Sequence, residues 1–269
     1  MLFDTHKIQT IYAIIINYIT ACLVGVLFYE KPVKLYELYE NDWFYGTASL
    51  GFLFILIFNL MAKTAQRLGV SVASVATKMS FVIPVALGLL LYGEKLSLLK
   101  SAGIVLALAA VYFASVKDTP RAIRRKSLLL PIMVFLGSGI IDASLKYMEE
   151  NHVTSNEFPL FSATVFGAAA LAGILFILLR SFDKPLKLNF KNVLGGIALG
   201  IPNFFSIYFL LRALQNEALN SASIFTVNNV AIVMFSTLLG IVLFKEKISA
   251  KNWGGIIMAV ISIMLVTFF

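Results

Sequence analysis

A lysine stands alone in the middle of a long apolar run: Lys78, in the stretch SVATKMSFVIPVALGLLL. Taking an ammonium to the centre of a bilayer costs about 2.5–3.5 kcal/mol on insertion scales, so such a residue needs a partner or a task. It suits an anchor for an anionic substrate group or a proton-coupling site; an ion pair with Asp142 is the structural alternative. Asp142 lies in another apolar run with Lys146 four residues later, on the same helical face. A local Asp142–Lys146 pair at the helix end is its simplest account, and a carboxylate facing a central cavity and exchanging a proton is the other. Asn228 and Asn229 occupy the middle of a later run. Amides there either hydrogen-bond a substrate or cross-link helices. Asn17 beside Tyr18, Asn59, and Asn203 beside Pro202 are further substrate-binding candidates, with interhelical bonding as the plainer role. Phe81, Phe204, Phe205, Tyr208 and Phe225 are candidate rings for an apolar cavity, although in a chain with 23 Phe most must face lipid.

Catalytic chemistry finds little support. The two histidines, His6 and His152, have no metal-ligand spacing, and neither Gly-x-Ser-x-Gly nor a P-loop occurs. No enzyme activity, cofactor or metal is expected. The net charge of +8 does not point to nucleic acid, because the basic residues sit between apolar runs and the only cluster is Arg121–Lys126.

The elements that must position these residues follow from composition. With 59% hydrophobic and 13% charged residues, the chain lies far from the soluble average of about 25% charged. Runs of roughly 20 apolar residues each match a hydrocarbon core of about 30 Å. They are too continuously apolar for barrel strands, so the backbone must satisfy itself as helices. An all-α polytopic membrane protein is predicted, with nine spans at 8–28, 43–62, 69–92, 98–117, 127–147, 158–180, 191–211, 219–243 and 249–269. The single cysteine, Cys22, forms no internal disulfide.

An internal repeat organises the spans. Glu94, Lys95, Ser97, Gly103 and Ile104 recur as Glu246, Lys247, Ser249, Gly255 and Ile256 at one fixed offset. Before these hinges a slightly shorter offset matches Lys63, Gln66, Ser74 and Thr77 to Arg212, Gln215, Ser223 and Thr226, and places Asn228 and Asn229 within one residue of Lys78 and Met79. The first repeat covers 1–117, the basic loop 118–126 joins the halves, and the second repeat covers 127–269. The span 127–147 has no partner in the first half, so a first helix is expected upstream of Met1 or lost. Pro84, Glu94, Ser97, Glu246 and Ser249 are structural hinge residues: the serines cap the following helices and the carboxylates lie near helix N-termini. Gly103, Gly195, Gly196, Gly240, Gly254 and Gly255 suit close helix packing. Most of the 22 Lys and Arg fall on one set of alternate loops, which places 117–126 and 180–191 in the cytoplasm and Phe269 outside. An odd number of spans per repeat then makes the two halves inverted copies.

These hinges, with Pro84, Gly93-Glu94-Lys95-Leu96-Ser97 and Gly103 in one copy and Lys245-Glu246-Lys247-Ile248-Ser249 and Gly254-Gly255 in the other, resemble the EamA-type members of the drug/metabolite transporter superfamily. The resemblance spans essentially the whole chain. It implies a ten-helix fold of two five-helix repeats, with the first helix missing here and no proline in the second copy's fourth helix. It also implies both termini in the cytoplasm, against the charge count. The activity implied is transport of small metabolites, often outward.

The reading is a secondary transporter of the cell membrane moving a small polar metabolite, amino-acid-like or another small organic solute, by alternating access, with export the expected direction. Substrate is expected near the midplane between the halves, held by Lys78, Asn228 and Asn229. Expected partners are the small-molecule substrate, the lipid bilayer, protons or another coupling ion, and a second copy of the chain as homodimer. A non-transporting scaffold or an intramembrane enzyme is the rival class.

Overall fold

A computed structural model describes residues 10–33, 38–91, 93, 96–115, 128–181, 189–216, 218–244 and 249–268. Every regular element among them is helical: α1 (Thr10–Phe28), α2 (Phe44–Leu68), α3 (Val70–Met79), α4 (Val82–Leu91), α5 (Leu98–Ser115), α6 (Leu129–Asn151), a 3-10 turn (Ser155–Glu157), α7 (Phe158–Ser181), α8 (Phe190–Leu214), α9 (Ser221–Phe244) and α10 (Ala250–Phe268). With α3 and α4 taken as one span, eight helices are long and apolar enough to cross a bilayer, and α5 is a shorter apolar ninth. Large apolar side chains face outward, Leu27 at 84% and Leu90 at 80% exposure, which only a hydrocarbon solvent tolerates along whole helix faces. The chain is a multi-pass membrane protein.

Several helices outrun the apolar stretches. The 43–62 run continues to Leu68 because Lys63, Thr64, Gln66 and Arg67 end the hydropathy without ending the helix. The stop is Gly69, whose φ of 108° lies in the region that glycine enters without a Cβ clash. Likewise the 127–147 run extends to Asn151 and the 191–211 run to Leu214.

The 69–92 run is not one helix. Pro84 lacks an N–H, and its ring excludes the carbonyl four residues back, that of Ser80. The helix breaks there: Ile83 N–H bonds the Ser80 carbonyl at 2.9 Å instead, and the Ser80 hydroxyl donates to the Thr77 carbonyl at 2.6 Å. The corresponding helix of the second half, α9, has no proline and runs unbroken.

Two hinge serines do the same job. Ser97 Oγ accepts from Lys100 N–H at 3.1 Å, one turn into α5, and Ser249 Oγ accepts from Asn252 N–H at 3.3 Å, one turn into α10. Asn252 returns the bond, its Oδ1 accepting from Ser249 N–H at 3.2 Å, in the place a capping-box glutamate would take. Glu94 and Glu246 lie outside the described residues.

The described chain forms two compact units, Met1–Asn59 with Ser144–Gln215 and Leu60–Ala143 with Asn216–Phe269. Each draws helices from both sequence halves, and α2 and α6 each contribute one end to either unit. In the first unit α1 packs on α7 and α8. Gly196 admits α1 closely, since a Cβ there would stand 2.9 Å from the Ala13 carbonyl oxygen. Tyr18, Trp43, Phe161, Phe166 and Phe204 fill this core.

In the second unit α5 packs on α10, and α9 touches α3, α4, α5 and α10. A Cβ on Gly103, early in α5, would meet Val266 near the end of α10 at 2.8 Å. A Cβ on Gly255, early in α10, would meet the Cα of Ala114 near the end of α5 at 2.9 Å. The two helices therefore run antiparallel, each glycine seated on the other's C-terminal end. Ser262 Oγ donates to the Gly103 carbonyl at 2.8 Å across the same contact. Gly254, by contrast, faces open space and contributes no such packing.

Candidate functional site

Lys78 sits in the last turn of α3, two residues before the break. A cation is favoured there by the carbonyl-rich C-terminal end of the half-helix. The break thus leaves a lysine at a helix terminus inside an apolar span, where a continuous helix would have buried it mid-turn.

Asp142 comes to the same region on α6. A Cβ built on Gly139 would fall 2.7 Å from the Cβ of Ile83, so the α6 backbone lies directly on the first turn of α4. Asp142 follows Gly139 by three residues, on the same face of α6. Lys78, at the end of α3, and Asp142, on α6, thus approach one region from the two sides of this contact. They form no direct ion pair among the described residues.

The local pair expected between Asp142 and Lys146 is absent. Lys146 turns to the C-terminal end of α6, where its Nζ bonds Glu149 Oε2 at 3.1 Å and also Glu150 Oε2. Lys146 and Glu149 are both buried, whereas Glu150 is half open. Two carboxylates at i+3 and i+4 outbid one at i−4, because all three groups lie together on the last turn of the helix. The spacing Lys-x-x-Glu-Glu was legible in the sequence and marks a charge cluster that the apolar-run criterion passes over.

The amides of α9 separate into two roles. Asn229 is buried and donates to its own helix at the Phe225 carbonyl, 3.0 Å away. Asn228 is partly exposed and makes no hydrogen bond among the described residues. Its helix packs against both α3 and α4. Lys78, Asp142, Asn228 and Asn229 therefore belong to one compact unit.

Asn17, Asn59, Asn203 and Tyr208 belong to the other unit. Asn203 Nδ2 donates to Asn17 Oδ1 at 3.2 Å, linking α8 to α1 through a half-buried amide pair. Asn59 Nδ2 donates to the Ile55 carbonyl one turn back at 2.7 Å. Tyr208 is buried among Phe28, Phe204 and Phe209, and its hydroxyl accepts from Arg212 Nε at 3.2 Å. Tyr18 stands next to Asn17 on α1. Its ring is enclosed by Phe58 and Phe166, and its buried hydroxyl has no hydrogen-bond partner among the described residues. Phe81, Phe204 and Phe225, expected to line a cavity, are fully enclosed in packed core.

Among the described residues no group of three His, Cys, Asp or Glu side chains has metal-binding geometry.

Comparison with known proteins gives three likenesses. The EamA-like transporter family matches residues 2–116 and, separately, 126–268. An uncharacterized protein of Haemophilus influenzae is 33% identical over 260 residues, covering 93% of this chain and 86% of the relative. A protein of known crystal structure, 14% identical, superposes with a TM-score of 0.74 over 97% of this chain and 89% of its own, a likeness of fold.

Proposed function

The chain belongs to the EamA-like transporter family, and on that premise we propose that it is a secondary transporter that exports a small polar metabolite across the cell membrane by alternating access. Lys78, Asp142 and Asn228 hold the substrate, with Asn229 supporting them. Asn17, Asn59, Asn203 and Tyr208 serve mainly to join or stiffen helices, since their polar atoms are engaged within the protein. The observation that carries this reading is the Lys78–Asp142 arrangement: two ionisable side chains of opposite sign at span depth, brought to one region by the α6–α4 contact and making no ion pair among the described residues. A purely structural pair would be expected to close, because an unclosed pair leaves both desolvation costs incompletely compensated.

The halves 1–117 and 127–269 act as inverted repeats on this reading. Support comes from equivalent bonds in the two copies. Thr77 and its counterpart Thr226 both donate to the carbonyl four residues back, at 2.9 and 2.7 Å, and Ser97 and Ser249 both cap. The reciprocal, antiparallel seating of Gly103 and Gly255 is what inversion of one copy requires. A broken span with charge at the half-helix end is the arrangement carriers use for ion and substrate sites. The coupling ion is a proton or another cation, and the working form is a homodimer.

The test is efflux from sealed vesicles that contain the purified protein and are loaded with a whole-cell metabolite extract. Mass spectrometry of the outside medium identifies what leaves. At least one metabolite is expected to leave saturably, and Lys78→Ala is expected to reduce that efflux at least tenfold. Equal leakage from vesicles with and without the protein would remove the carrier reading.

A further inference from the structure

We propose that Arg212 is the headgroup contact of a site for an anionic phospholipid, whose acyl chain lies along the outward face of α8. The inference stands apart from the substrate site and concerns how the protein meets its bilayer. The guanidinium of Arg212 is exposed yet held in place. Its Nε donates to the Tyr208 hydroxyl at 3.2 Å, and the group sits over that ring, 5.6 Å from its centre. Tyr208 is in turn fixed by Phe28, Phe204 and Phe209. The two terminal amino groups of Arg212 have no partner among the described residues. A guanidinium anchored at Nε and open at the opposite edge offers paired N–H groups, the geometry that grips a phosphate. Part of the ordering cost of binding is already met by the Tyr208 contact. Gln215, one turn further along, has its Oε1 engaged by the Ser155 hydroxyl at 2.7 Å, which leaves its Nε2 as a second donor at this helix end. The carboxylate of Glu157, at the start of α7, is turned to the Thr154 N–H and hydroxyl.

Depth and the adjoining surface decide the occupant. The 25 residues of α8 rise about 37 Å, more than a hydrocarbon core of about 30 Å, so the last turn with Arg212 stands at headgroup level. Towards the midplane from it lie Phe209 and Ile201, 60% and 43% exposed, with Phe205 half-buried between them. Ile201, Phe205, Phe209 and Arg212 follow one another at helical spacing and form one stripe. The Phe205 and Phe209 rings stack at 5.7 Å, which makes the stripe a continuous apolar surface. From Ile201 to Arg212 is about 16 Å, close to the depth of one leaflet, half of about 30 Å. One phospholipid therefore reaches both features, its phosphate on the guanidinium and its chain on the stripe. A free phosphate would leave the stripe unused. A zwitterionic headgroup would bring its own cation beside the guanidinium, so a lipid of net negative charge fits best.

The experiment uses the full chain in detergent, with native mass spectrometry to count bound lipid. Phosphatidylglycerol and phosphatidylcholine with identical chains are the probes. The first phosphatidylglycerol is expected to bind about fivefold more tightly than phosphatidylcholine, the worth of one basic residue at a membrane surface. Arg212→Gln should abolish that preference, and Tyr208→Phe, which keeps the ring but removes the anchor, should weaken it. Lys63→Gln, at another exposed basic residue near a helix end, should leave it unchanged. In the unmodified protein, a phosphatidylglycerol with a photoreactive chain should label the segment from Ile201 to Arg212. The assignment is overturned by equal binding of the two lipids, or by a folded Arg212→Gln protein that keeps the preference. An equal loss in Lys63→Gln would reduce the effect to general surface charge and overturn it too. Displacement of the lipid by glycerol 3-phosphate would make this a site for a soluble phosphate instead. Should Arg212→Gln not fold, the photolabel decides, and labelling confined to other helices rejects the site.

Discussion

Gly139 of α6 lies against Ile83 of α4 so closely that a Cβ on the glycine would stand 2.7 Å from the Cβ of the isoleucine. The Ile83 side chain is met along its length, and while its Cδ1 end can swing away, its branched Cβ next to the backbone has little freedom to move aside. This contact sets the distance between the helix of Asp142 and the break beside Lys78.

Gly139→Ala is therefore expected to overpack the contact and destabilise the protein by about 1–3 kcal/mol, with efflux falling more steeply than stability. In an Ile83→Ala background the same substitution should cost less, because the void left by the isoleucine accepts the methyl. Thermal unfolding of the four proteins in detergent measures the coupling. Additive costs would mean that the two residues do not set each other's position.

Pro84→Ala restores an N–H and removes the ring from the Ser80 carbonyl, so α3 and α4 should join into one straighter helix. Labels at Val70 and Leu91, both exposed, should move apart, as read by electron–electron distance measurement. Stability should change little or rise, since a proline in a helix interior costs about 3 kcal/mol. Efflux should fall, because Lys78 then loses its place at a helix end.

Asn228→Ala is expected to lower efflux several-fold with little effect on melting, since its amide has no hydrogen bond to lose among the described residues. Asn229→Ala should do the opposite: a modest loss of stability, near the roughly 0.6 kcal/mol typical of hydrogen bonds in membrane helices, and nearly unchanged efflux. A reversal of this order would move the substrate to the other face of α9.

Lys146→Met should destabilise by about 3–5 kcal/mol, because it leaves Glu149 buried without its partner. The double variant Lys146→Met with Glu149→Met should recover most of that loss. Glu150→Gln should cost less than about 1 kcal/mol, since that carboxylate is half exposed. Chemical unfolding of the three variants beside the unmodified protein separates these outcomes.

The amino-acid sequence by itself determined the class, the nine spans and the family. Those follow from composition, apolar run length and the recurrence of hinge residues, all of which act locally and leave a one-dimensional trace. It also marked Lys78 and Asp142, because a charge inside an apolar run is conspicuous without coordinates. What it did not determine was the partner of each charge. Lys146 is the nearer lysine to Asp142 in sequence, yet it turns to Glu149 and Glu150, while Asp142 comes to the region of Lys78 because Gly139 lets two distant helices touch. The break at Ser80 shows the same division: Pro84 announced a disturbance, but the three-dimensional fold decided that the helix would end beside Lys78. The physical reason is that tertiary contacts join residues far apart in the chain, and no periodicity or spacing along the sequence carries information about which helix faces will meet.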